Sequence, residues 1–93
     1  MEKVKSFDFY VNAMEEIGEI THFFSKISVA VIELNGELKV GDRIKFSGAT
    51  TDFEQDVVSM QIEHNNIDEA SPGDSVGMKV KERVRKGDKV FKL

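Results

Sequence analysis

Cysteine is absent from this chain of 93 residues, which excludes disulfides, thiolate metal sites and thiol nucleophiles together. Tryptophan is absent as well, and proline occurs once, at Pro72. No run reaches the roughly 18 apolar residues that a membrane-crossing helix requires. The N-terminal MEKVKSFDFY lacks the apolar stretch of a secretion signal, so the expected location is cytoplasmic. The run Gly-x-x-x-x-Gly-Lys-Ser/Thr, whose amides wrap nucleotide phosphates, begins at none of Gly18, Gly36, Gly41, Gly48, Gly73, Gly77 or Gly87. No Gly-x-Ser-x-Gly elbow surrounds any serine. His22 and His64 are the only histidines, far apart in sequence, and make a poor metal set without cysteine. Glu63-His64 with Asp68-Glu69 would need a folded-back loop to hold an ion. The expectation is a non-enzymatic protein with no catalytic residue, metal, cofactor or bound nucleotide.

Hydrophobic residues make up 40% of the chain and charged ones 32%, as in one small globular domain. A core of that size is marginal, and a sheet closed on itself, with few raw edges, suits it. The formal net charge is −4, unevenly spread. From Lys79 to Leu93 seven basic residues face two acids, giving +5, which leaves −9 for residues 1–78. The C-terminal sixth is a separate electrostatic region.

Alternation with a period of two dominates, and helical spacing shows only weakly at 11–17. EIGEITHFF and ISVAVIEL read as a hairpin around Ser25-Lys26. The second of these has apolar side chains at Ile27, Val29 and Val31 and also at Ala30, Ile32 and Leu34, which predicts a central strand covered on both faces. Asn35-Gly36 reads as a turn, since both residues tolerate positive φ at little steric cost. RIKF, QDVVSMQI with Val58, Met60 and Ile62 on one face, SVGMKV and KVFKL complete six or seven short strands, which suggest a barrel or a sandwich. SGATTDFEQ has no period and reads as a loop with Thr50, Thr51 and Phe53 at least partly exposed; Phe53 then either stacks on a base or caps the barrel. Residues 1–16 form an N-terminal arm or, through Phe7, Phe9 and Val11, an edge strand.

The pair Gly-Asp occurs three times before an aliphatic strand, as Gly41-Asp42, Gly73-Asp74 and Gly87-Asp88. Gly supplies an unusual backbone angle and Asp bonds the local backbone, so these are read as structural turns. The stretches GEITHFFSKISVAVIELNGELKVGDRIKFSG, TTDFEQDVVSMQIEHNNIDEASPGDSVGMKV and VRKGDKVFKL, with those turns in that order, resemble the second domain of translational GTPases such as elongation factor Tu. The resemblance covers 17–93. It is placed nearest to small stand-alone elongation-factor-like proteins of prokaryotes, and more distantly to the C-terminal barrel of a collagenase-like peptidase family linked to RNA modification. It implies an all-β fold, a closed or nearly closed Greek-key β-barrel of six to seven strands. It also implies contact with RNA, such as tRNA or ribosomal RNA, through a barrel that does no nucleotide chemistry itself. The family often has Asn where this chain has Ser75.

The sharpest functional feature is the alternation Lys79-Val80-Lys81-Glu82-Arg83-Val84-Arg85. On a continuing strand, Lys79, Lys81, Arg83 and Arg85 share one face at a spacing of about 7 Å. With Lys86 they form a candidate RNA-binding row; the alternative is a solvated face whose charges keep sheet edges apart. The functional expectation is a binding module for RNA or a ribonucleoprotein, with no membrane. Its rival is a protein-docking scaffold for a separate enzyme or RNA-modification factor.

Overall fold

A computed structural model describes residues 15–93; the alternation at Phe7, Phe9 and Val11 lies outside them. The chain is all-β, with β1 (Glu15–Phe24), β2 (Val29–Leu34), β3 (Leu38–Lys39), β4 (Arg43–Ser47), β5 (Asp52–Asp56), β6 (Met60–Ile62), β7 (Asn65–Ile67), β8 (Glu69–Ala70), β9 (Ser75–Lys79) and β10 (Lys89–Lys92). Eight strands form one antiparallel sheet in the order β5-β4-β10-β1-β2-β9-β6-β7, and β3 pairs with β8 apart from it. The sheet curls into a barrel open along one seam, between the β5 edge and the end of β9. Gln55 of β5 spans that seam: its Nε2 donates to Lys79 O at 3.0 Å and its Oε1 accepts from the Lys81 N–H at 3.0 Å.

The strand count exceeds the expected six to seven for two local reasons. SGATTDFEQ is not a loop, since Asp52–Asp56 is β5, paired with β4 through Phe46↔Phe53. Thr51 and Phe53 are buried, and Phe53 stacks on Phe46 with centroids 4.8 Å apart, so Phe53 is unavailable to a base. In QDVVSMQI the alternation breaks at 57–59: Val57 and Met60 are buried while Val58 is 79% exposed. The short β6 then turns into β7 through Glu63 and His64, both in the left-handed region at φ 52° and 67°. That two-residue loop normally selects Asn or Gly, which is why the sequence concealed it.

The core is built from alternate residues: Ala30, Ile32 and Leu34 of β2, Ile44 and Phe46 of β4, Val76 and Met78 of β9, and Val90 of β10. In β1 the register shifts between Glu16 and Gly18 and again between Ile20 and His22, so Ile17 and Ile20 both reach the core despite their odd spacing.

Three turns of one construction hold the ends of these strands. Gly41, Gly73 and Gly87 have φ of 102°, 96° and 94°, which L side chains adopt only with strain. In each, the following Asp donates its N–H to a carbonyl three residues back (Lys39, Ser71 or Arg85), while its Oδ2 accepts that same residue's N–H at 2.8 to 3.0 Å. Each turn then grips one buried apolar residue by two main-chain bonds. Gly41 N–H donates to Val57 O, Gly73 N–H to Leu34 O and Gly87 N–H to Ile20 O, and each apolar residue donates its own N–H to the Asp carbonyl. Asp88 goes further: it is buried, also accepts from the Thr51 hydroxyl, and lies where a Cβ at position 48 would stand, so that only Gly48 admits it.

Asn35-Gly36 bends the chain between β2 and β3 as expected, but without positive φ at either residue. Both N–H groups donate to Ile17 O, and a Cβ on Gly36 would come within 2.9 Å of the Ile17 side chain. Close approach to β1 explains this glycine.

Candidate functional site

The basic C-terminal segment is not one strand. β9 ends at Lys79, and residues 81–88 form an irregular connection to β10. Val80 and Val84 are buried and pin it to the core, but Glu82 and Arg83 are both exposed between them, so the alternation slips. Lys79, Lys81, Arg83, Arg85 and Lys86 are all exposed without forming the evenly spaced row expected of a strand. None of the five makes a salt bridge to another described residue; Arg85 donates from Nε to Thr50 Oγ1 at 3.0 Å.

The neighbouring cations are engaged. Arg43 lies against Glu54 at 3.4 Å and Asp56 at 2.8 Å, and its hydrogen bond to Asp56 raises its pKa above the ordinary value. Lys89 is raised likewise, first by its hydrogen bond to Glu19 at 3.2 Å. Lys92 faces Asp42 at 3.8 Å.

Among the described residues no group of three or more His, Asp or Glu side chains is placed to hold a metal ion. His22 is on β1, its ring 4.5 Å from that of Phe24, and His64 is in the β6–β7 turn.

A second surface escaped the sequence reading. β2 is central, hydrogen bonded to β1 and β9. Its inward residues are buried, as the dual apolar pattern required. Its outward residues Val29 and Val31 are only half covered, with Phe24 and Ile27 beside them 46% and 58% exposed. Across from Val31 stands Gly77 of β9, and over it lies a groove of about 450 Å³ that no described residue roofs, rimmed by Gln61, Glu63 and His64. A Cβ added at Gly77 would meet only Val29 Cγ1, at 3.7 Å. A side chain at position 77 would thus project into the open groove. The sequence pattern of ISVAVIEL, apolar on both faces, predicted cover on both, and the described residues cover only the inner one.

The model of the family "Elongation factor Tu domain 2" matches residues 29–88. An uncharacterized protease of Methanocaldococcus jannaschii is 47% identical over 79 residues, which are 84% of this chain and 19% of the protease. A collagenase of Porphyromonas gingivalis is 35% identical over 79 residues, 83% of this chain and 22% of the relative. Elongation factor 1-alpha of Pyrococcus horikoshii is 38% identical over 61 residues, 57% of this chain and 14% of the factor. The peptidase likeness thus reaches further along the chain than the elongation-factor one, the reverse of the weight the motifs suggested. In structure, the C-terminal domain of a protein described as a U32 peptidase of Geobacillus thermoleovorans superposes with a TM-score of 0.80 at 23% identity, covering 85% of this chain and 92% of that domain. The chain spans about a fifth of the length of the peptidase relatives.

Proposed function

Because the chain belongs to the elongation factor Tu domain 2 family, we propose that it is a non-catalytic docking module which packs against the catalytic region of a collagenase-like peptidase, as an accessory part of a larger assembly. The observation that carries this reading is the apolar outer face of β2 that no described residue covers, where Phe24, Ile27, Val29 and Val31 flank the groove over Gly77. Exposed apolar patches of this kind mark interaction surfaces. Relatives about five times as long, with the matching segment as one part, supply the candidate partner.

Association with RNA or a ribonucleoprotein such as the ribosome draws on Lys79, Lys81, Arg83, Arg85 and Lys86. Its support is thinner. The five cations are not in register, no aromatic ring lines the groove beside them, and Phe53 is in the core. Nonspecific phosphate contact remains their contribution to that reading.

The test is calorimetric titration of the chain into the Methanocaldococcus jannaschii protease from which the matching segment has been deleted. Saturable binding is expected, little changed by salt, and weakened at least tenfold by Ile27→Glu, which buries a charge in the contact. No association with the protease, together with binding of single-stranded RNA whose affinity falls steeply with salt, would overturn the docking reading in favour of RNA.

A further inference from the structure

We infer that the seam between β5 and β9 receives an extended acidic peptide segment, which adds as a strand along Lys79–Lys81 in place of the Gln55 side-chain amide. It uses a different groove from the one over Gly77, although Lys79, paired with Val29, stands at the border between the two.

The antiparallel register that pairs Gln61 with Gly77, continued along the sheet, would set Ser59 opposite Lys79 and Val57 opposite Lys81. That continuation does not form. Val57 is held instead by the first Gly-Asp turn, accepting from Gly41 N–H and donating to Asp42 O, both at 2.8 Å. The edge of β9 is thereby stripped of its main-chain partner just where β6 peels away. Gln55 fills the vacancy with one amide group, accepting from Lys81 N–H and donating to Lys79 O. A side chain doing the work of a strand is a replaceable partner, because an incoming backbone offers the same donor and acceptor.

The space beside it fits a strand of defined chemistry. A groove of about 600 Å³ runs along the seam, lined by Arg43, Gln55, Asp56, Val58, Lys79 and Lys81 among others. Val58, the most exposed large apolar side chain described, lies in it. Lys79 and Lys81 have no ionic partner among the described residues, whereas Arg43 is held by Glu54 and Asp56. An added strand sends alternate side chains to opposite sides. Acidic residues at every second position would meet Lys79 and Lys81, and apolar ones between them would cover Val58. The charge of the groove is complementary to such a segment although the whole chain is at −4. RNA fits less well, for the groove offers main-chain hydrogen bonding in strand register and no ring for a base to stack on.

The test is ¹⁵N–¹H NMR titration with an eight-residue peptide of alternating Glu and Val, its counterpart with Lys in place of Glu, and an oligouridine of eight nucleotides. The Glu-Val peptide is expected to shift the Lys81 main-chain amide and the Gln55 side-chain NH2 signals saturably. The double substitution Lys79→Glu with Lys81→Glu, at exposed positions that leave the core untouched, should weaken binding at least tenfold, and Gln55→Ala should strengthen it several-fold. Unmoved Lys81 and Gln55 signals, equal binding of the Lys peptide, or movement by oligouridine alone would each overturn the inference. The β2 groove and its peptidase partner are read by other residues, so failure here leaves that reading standing and the converse holds too.

Discussion

Gly87 shows how one residue sets the geometry of a strand. A Cβ built there meets nothing within 4 Å, so any cost of substitution comes from φ of 94° and not from crowding. Gly87→Val should destabilise the chain by about 2 kcal/mol, whereas Gly87→Asn, which visits that region more easily, should cost about half as much. Chemical denaturation of the two variants checks this, and equal losses would point to crowding instead. The Gly-Asp pairs were legible because two residue types with different jobs, one conformational and one hydrogen bonding, recur together. Asn35-Gly36 was legible as a turn but not in its backbone angles, because glycine has two uses: here it admits Ile17 and is not left-handed. Glu63 and His64 show the opposite failure, a left-handed pair with neither residue type that normally announces it.

Among the elements, β5 and the β9–β10 connection departed most from the pattern. DFEQD carries one apolar residue in five, too few for alternation to register, yet Phe53 is 8% exposed and stacked on Phe46. Pairing with β4 across the Arg43↔Asp56 and Lys45↔Glu54 positions stabilises β5 through opposite charges that the linear sequence keeps apart. Phe53→Ala should cost about 3 kcal/mol or more, as for a core aromatic. A change under about 0.5 kcal/mol in thermal or denaturant unfolding, typical of exposed positions, would place Phe53 outside the core. In the connection after β9 the sequence kept its alternation while the backbone did not, because Lys81 bonds Gln55 instead of a neighbouring strand. Charge alternation reports which residues stay wet; it does not report which strand accepts the N–H between them.

For the whole molecule, an all-β fold was readable from the turns and the period of two, and the barrel from the family resemblance that the turns carry, while the surface that matters for partners was readable only as an excess. A strand apolar on both faces calls for two covering layers, and the described chain supplies one. The layer that the described chain does not supply on the outer face of β2 sets what a partner must look like: apolar, fitted over Gly77, and indifferent to the basic connection after β9. Hydrogen exchange of the chain alone and in complex with the Methanocaldococcus jannaschii protease lacking its matching segment tests this most directly. New protection is expected at residues 24–31 and 61–64, none at 81–86, and loss of the complex in Gly77→Leu, which fills the groove at a position with room for a side chain. Protection confined to 81–86, or a complex that forms undiminished with Gly77→Leu, would contradict it.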